Sequence, residues 1–225
     1  QLAPASLALG KDSRENVIVL MLDDMNNAHF QALLDGGFIP NIEKYILGHG
    51  VNFTNSFVTN ALCCPSRATL LTGQYTKNHG ILVGSQGISQ WLKDQKPFAE
   101  PDQEYNTLTT WLHGVGYKTA LIGKYLNRYG IFTKQTYVPP GYDFWRALVE
   151  PSNYKVYDYK VNENGKLRDF GFKNSDYQTD VLADYAKQFI RMHTGTFDKD
   201  PFFMIVTPIA PHVEVPLSAF LKETE

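Results

Sequence analysis

The sequence predicts an α/β fold: a mostly parallel central sheet flanked by helices. Three observations carry that expectation. Val17-Ile18-Val19-Leu20-Met21-Leu22 is an unbroken apolar run rich in β-branched residues, the pattern of a strand buried on both faces. Strand-like and helix-like segments then alternate along the chain, as they do where crossover helices join parallel strands. Three candidate strands also run into reactive groups, Asp23-Asp24, Lys124 and His212. Open α/β sheets bind ligands outside the carboxyl ends of their strands, so three such endings on one edge predict a shared site.

The elements follow in order. A helix is expected from Pro40, whose fixed φ suits a first turn, through Ile42, Tyr45 and Ile46 to Gly48. Val51 to Val58 alternates and reads as a second strand. Cys64 to Gly73 reads as a short helix, with Pro65 at its start and Gly73 at its end. A helix around Leu108–Leu112 leads through Gly114 and Gly116 into a strand at Thr119–Ile122, which ends in Gly123-Lys124. Residues 130–175, rich in Tyr, Gly, Pro and Asn, read as an excursion of loops and short strands. Asp180 to Met192 has helical spacing, with Val181, Leu182, Tyr185, Phe189 and Ile190 on one side. Phe202 to Val206 is the final strand, ahead of Pro208 and Ala210-Pro211-His212.

Composition removes several function classes. The chain has 225 residues, 43% hydrophobic and 20% charged, with 14 Phe, 13 Tyr and 3 Trp. That much apolar surface excludes a solvated coil and suffices for one large core or two small ones. The 2 Cys are adjacent, so they are poorly placed to staple distant loops. A net charge of −2 offers no field for nucleic acid or anionic lipid. No apolar run approaches the roughly 20 residues of a bilayer span. The opening QLAPASLALGKDSRE, without a basic n-region or an initiating Met, reads as an N-terminal extension over 1–15 and as the stub of a processed precursor, a hint of secretion. The close at Glu225, after a strand and a polar loop with no closing element, predicts that the domain beginning at residue 16 continues beyond this chain.

Asp23 and Asp24 are adjacent carboxylates at a buried strand end. Such charges repel and are costly to desolvate unless a cation joins them. A hard divalent ion with oxygen ligands, Ca²⁺ or Mg²⁺, fits that chemistry; a solvated turn is the plainer alternative.

The sharpest motif is Cys63-Cys64-Pro65-Ser66-Arg67, followed by Leu71-Thr72-Gly73. It resembles the signature of the sulfatase family, within the alkaline-phosphatase-like superfamily. Asn16 to Asp24 resembles that family's opening strand and metal-binding acid pair. Gly123-Lys124-Tyr125-Leu126-Asn127 resembles its active-site lysine segment, and Ala210-Pro211-His212 the segment with its substrate-contacting histidine. Gly-Lys-Tyr-Leu-Asn-Arg-Tyr-Gly, the Pro139 to Trp145 stretch and Pro201-Phe202-Phe203-Met204 are most similar to the glucosamine-6-sulfatase, endosulfatase and microbial arylsulfatase branch.

The resemblance implies a sulfuric ester hydrolase acting on a phenol or sugar sulfate. Cys63 would be converted by a formylglycine-generating enzyme to Cα-formylglycine, with calcium as the ion, held by Asp23, Asp24 and residue 63. Arg67 would hold the aldehyde hydrate or the carboxylates. Lys124 and His212 would contact the sulfate, with His79 and Asn127 as further pocket residues. Family members are secreted or lysosomal. The chemistry agrees: a thiol is a soft ligand mismatched to a hard cation, whereas a hydrated aldehyde offers oxygens. A helix N-terminus at residue 63 would add unpaired N–H groups that favour an anion. Leu126 stands where many members carry a histidine, which leaves the acid for the departing alcohol open. The family's downstream Asp-Asn metal pair has no counterpart here, since no Asp-Asn dipeptide occurs. Two other readings share these residues: a phosphate mono- or diesterase on the same fold, and an inactive fragment that only binds sulfated glycans. Asn52-Phe53-Thr54 is the only glycosylation acceptor, within the expected strand.

Overall fold

The computed structural model describes residues 14–84, 87–88, 103–194 and 200–215. In chain order the elements are β1 Val17–Leu20, α1 Asn27–Asp35, α2 Pro40–Ile42 with a wider turn over Glu43–Leu47, α3 Cys63–Thr72 and α4 Thr76–His79. They continue with α5 Leu108–Gly114, β2 Lys118–Gly123, β3 Phe144–Leu148, β4 Tyr159–Glu163, β5 Lys166–Phe170, α6 Gln178–His193 and β6 Phe202–Thr207.

The six strands form one sheet in the order β1-β6-β2-β3-β4-β5. The first four are parallel to their neighbours, with Val19 opposite Ile205 and Ala120 opposite both Met204 and Phe144. β4 and β5 add antiparallel pairs at the far edge. They are joined by Asn164-Gly165, both at positive φ, the two-residue turn whose twist suits a hairpin.

Alternate residues of the central strands feed two cores, because side chains on a strand point to opposite faces in turn. Ala120, Ile122, Phe144, Leu148, Phe202 and Met204 pack with Val181, Leu182, Tyr185 and Phe189 of α6. On the other face Leu121, Trp145, Ala147, Phe203 and Ile205 pack with Cys64, Ala68 and Leu71 of α3. Helices on both faces of a mostly parallel sheet are the predicted architecture.

Two expectations fail. The Val17 strand is not buried on both faces: Val17, Ile18 and Leu20 are 40–50% exposed. Among the described residues β1 is the end strand, paired through β6 alone, and of its residues only Val19 joins a core, in part. Val51 to Val58 forms no strand, and Val51, Phe53, Phe57 and Val58 are all exposed. Alternation makes a segment fit for a sheet, but a strand exists only where a neighbour accepts its backbone hydrogen bonds. α1 went unrecognised in the sequence; its start is fixed by Asn26, whose Oδ1 accepts from the His29 amide at 2.8 Å.

Candidate active site

The parallel order β1, β6, β2 places three carboxyl ends side by side, and each delivers one of the predicted groups. After β1, the Met21 amide still donates to Val206 O, and the chain then turns at Asp24, which has φ 61°. Asp tolerates that left-handed conformation better than most residues. The turn leaves Asp23 buried at 4% exposure and Asp24 exposed.

β2 ends at Gly123, with φ 112°. A Cβ there would stand 2.2 Å from the Thr207 carbonyl oxygen, so no other residue lets β6 lie this close. The Lys124 amide donates to Thr207 O at 2.8 Å. Thr207 Oγ1 and Arg67 Nη1 each donate to Lys124 O at 2.6 Å.

α3 presents Cys63 in its first turn, with Leu62 extended ahead of it and no side-chain cap. Proline at the third helical residue, Pro65, removes no needed donor, since the first four N–H groups have no intrahelical partner. Arg67, one turn on, is 5% exposed and reaches back across the site.

These groups converge on Asp23. Lys124 Nζ donates to its Oδ2 at 2.7 Å, and Arg67 Nη2 to its Oδ1 at 3.3 Å. Burial pushes the Asp23 carboxyl up, but Lys124 and Arg67 outweigh it and hold the group below its ordinary value. Burial and Arg67 push the Lys124 ammonium down, while Tyr154, Asp23 and Cys63 raise it on balance. Ligand atoms of Asp23, Asp24 and Cys63 lie within 4.8 Å of one another. Burial, reinforced by both acids, raises the Cys63 thiol despite Lys124 and Arg67, so the sulfur is not poised as a thiolate. Cys64 is fully buried and pushed to about 12, an inert core thiol. Asp23, Asp24, Cys63 and Arg67 line one cavity of about 580 Å³, with Asn26, Asn60 and Ser66 on its walls.

His212 Nε2 stands 3.4 Å from Asp24 Oδ2. Its Nδ1 donates to the Val213 carbonyl at 2.6 Å. Asn127 lies one layer back, with Nδ2 donating to the Tyr154 hydroxyl at 3.2 Å. His79 is held apart from this group. It is 1% exposed, with Nδ1 accepting from the Ile81 amide and Nε2 bonded to Thr69 Oγ1 at 3.1 Å. Burial lowers its pKa, as suits a neutral ring with a donor on one side and an acceptor on the other.

Sequence reasoning missed two residues at this edge. Tyr154 touches Lys124, Asn127 and His212 together. Glu150 is 2% exposed, and burial raises its pKa to about 7. Both lie in the loop after β3, and nothing in the sequence sets them apart from neighbouring Tyr and Glu residues.

The fold and the edge define an α/β protein with a cavity lined by Asp23, Asp24, Cys63 and Arg67 at the carboxyl ends of its strands, the alkaline-phosphatase-like arrangement. Its pairing of a helix-borne cysteine with an acid pair narrows the class. The chain belongs to the sulfatase family, whose family model, Sulfatase, matches residues 15–223. It is 35% identical over 204 residues to the putative extracellular sulfatase Sulf-1 homolog of Caenorhabditis elegans, covering 89% of this chain and 26% of that protein. It is 37% identical over 209 residues to the N-acetylglucosamine-6-sulfatase of Homo sapiens, covering 88% and 34%. The arylsulfatase of Volvox carteri is 32% identical, covering 92% and 30%. The chain therefore spans between a quarter and about a third of these relatives. Among solved structures, BT4656 in complex with its substrate D-glucosamine-2-N,6-O-disulfate superimposes with a TM-score of 0.65 at 29% identity, covering 88% of this chain and 35% of that one. Ps i-CgsB in complex with k-i-k-neocarrahexaose gives 0.63 at 20% identity, covering 89% and 46%, which bears on the fold alone.

Proposed function

We propose that this chain carries the nucleophile, the anion-binding cations and part of the metal site of a formylglycine-dependent sulfatase that hydrolyses a sulfate monoester. The observation that carries this reading is the meeting of Cys63, Asp23 and Asp24 beside buried Lys124 and Arg67, on a chain of the sulfatase family. A sugar sulfate is the favoured substrate, because N-acetylglucosamine-6-sulfatases and a protein bound to a disulfated glucosamine are among its relatives.

The site fits a hard divalent ion, with calcium the first choice. Its donors are two carboxylates and a residue that offers oxygen once Cys63 is oxidised. Asp23, Asp24 and residue 63 would hold the ion, which when bound supplies Lewis-acid stabilisation of negative oxygen. The chain's own residues do the rest. Asp23 fixes Lys124 and Arg67, so both cations are oriented before substrate arrives. The first turn of α3 adds unpaired backbone N–H groups where sulfate charge gathers. His212 has Nδ1 committed to Val213 O, so Nε2 is the ring atom that exchanges a proton with the departing alcohol. Formylglycine at residue 63 requires a maturation enzyme, and a secreted or lysosomal location follows that of the extracellular relatives.

Two measurements test the reading. Peptide mass spectrometry of natively produced protein is expected to find formylglycine at residue 63, and an unmodified thiol in active protein overturns it. Parallel assays with p-nitrophenyl sulfate, glucosamine 6-sulfate and p-nitrophenyl phosphate are expected to show turnover of the sulfates; a preference for the phosphate ester would reassign the chemistry.

A further inference from the structure

Three of the candidate site residues meet on one side chain. Tyr154 is 6% exposed and lies in the loop that leaves β3. Because β3 runs parallel to β2, that loop emerges on the edge that carries Lys124. The Lys124 ammonium sits 4.6 Å from the centre of the Tyr154 ring. The His212 imidazole packs on the same ring with centroids 4.8 Å apart and planes tilted by 40°. The Tyr154 hydroxyl accepts from Asn127 Nδ2 at 3.2 Å.

Lys124 and His212 come from two different strand ends, and each needs a direction as well as a location. Lys124 has a long flexible stem, and its bond to Asp23 fixes only one of its three N–H directions. His212 is tethered at Nδ1 to Val213 O, and among the described residues its Nε2 meets only the exposed Asp24 carboxylate, so its ring plane has no rigid partner on that side. A rigid aromatic ring against both removes these freedoms together. The ring face attracts the ammonium and gives the imidazole a surface to lie on. The Asn127 bond keeps the ring from turning.

We propose that Tyr154 is a positioning residue: its ring holds Lys124 and His212 at a fixed spacing and orientation, so that both meet one sulfate group. The proposal rests on the sulfatase reading for its substrate, but not for the contact itself. The ring face packs against both groups, while the hydroxyl anchors the ring to Asn127 and also meets the Lys124 ammonium, so removing each has a different effect.

The test compares Tyr154→Phe with Tyr154→Leu in the matured protein, with p-nitrophenyl sulfate as the probe. Y154L is expected to lower kcat by about 100-fold, the scale set by small misplacements of reacting groups, while KM stays within about threefold. Y154F keeps the ring and is expected to recover kcat to within about fivefold of wild type. A Y154L kcat within about threefold of wild type overturns the proposal, and so does a Y154F loss as deep as that of Y154L. If Y154L does not fold, Tyr154→Met, which fills the space with a flexible chain, takes its place under the same criteria. A second arm needs no turnover. The His212 ring protons, observed by NMR, are expected to shift in Y154L and to stay near their wild-type values in Y154F, and unchanged resonances in Y154L overturn the proposal. Wild-type protein that turns over no sulfate ester would sink the proposed function alone, leaving the NMR arm to judge Tyr154.

Discussion

Residues 17–62 and the sheet around 118–207 both carry many large apolar side chains, yet place them in opposite environments. In the first stretch Ile18, Phe38, Val51, Phe53 and Phe57 are 50–89% exposed. In the second, Ile122, Trp145, Phe203 and Met204 are at most 2% exposed. The difference is not hydrophobicity but coverage. The central strands have strand neighbours on both sides and a helix on each face, whereas among the described residues β1 has one neighbour and α1 buries no residue. The site straddles this boundary: its acid pair comes from the thinly covered side, and its lysine and histidine follow β2 and β6 on the packed side.

Paired truncations break or sharpen the contrast most directly. Phe203→Ala is expected to lose about 3–5 kcal/mol of stability, the usual cost of emptying a phenylalanine site in a packed core. Phe57→Ala is expected to stay within about 0.5 kcal/mol, as exposed substitutions do. Urea unfolding monitored by circular dichroism reads both. A Phe57→Ala loss equal to that at Phe203 would show that the exposed stretch is covered in the protein as it works.

The acids offer the same comparison inside the site. Asp23→Ala strands two buried cations and is expected to cost about 3–5 kcal/mol. Asp24→Asn, at the exposed carboxylate and with a side chain that also tolerates the left-handed backbone there, is expected to leave stability within about 0.5 kcal/mol while losing most turnover. Equal thermal stability of the two variants would mean that Lys124 and Arg67 find other partners when Asp23 is gone.

Glu150 gives a smaller, pH-dependent effect on the packed side. Burial raises its carboxyl from 4.5 to about 7. A raised folded-state pKa contributes stability that is complete below the unfolded value and is lost as pH rises through the folded one. Glu150→Gln is therefore expected to match wild type near pH 4 and to exceed it at pH 8 by up to about 3 kcal/mol. Melting curves across that window check the sign; a variant less stable than wild type at pH 8 would mean that the carboxylate is ionised and paired in the fold.

Much of the site was legible in the sequence because its groups sit where elements end. Asp23, Lys124 and His212 follow apolar strands, and Cys63 opens a helix marked by Pro65 and Gly73. Strand ends are visible in one sequence; the packing between loops is not. Tyr154 is one tyrosine among 13, and its contacts depend on how the loop after β3 folds back over β2. Val51 to Val58 misled for the converse reason, since local alternation says nothing of whether a partner strand is present. The 130–175 excursion does hold short strands among its loops, and Asn164-Gly165 is the turn that joins two of them into the β4–β5 hairpin. His79 drew attention by lying just after the signature helix, but both its ring nitrogens are spent within that neighbourhood.

The carbonyl of Lys124 is gripped from two directions, by the Thr207 hydroxyl and by the Arg67 guanidinium. That single oxygen clamps a strand tip, its neighbour and the signature helix into one block. Under the proposed function, tolerance for different alcohols would then reside in the surrounding loops, because the corner that carries Lys124 and Arg67 is tied from two sides.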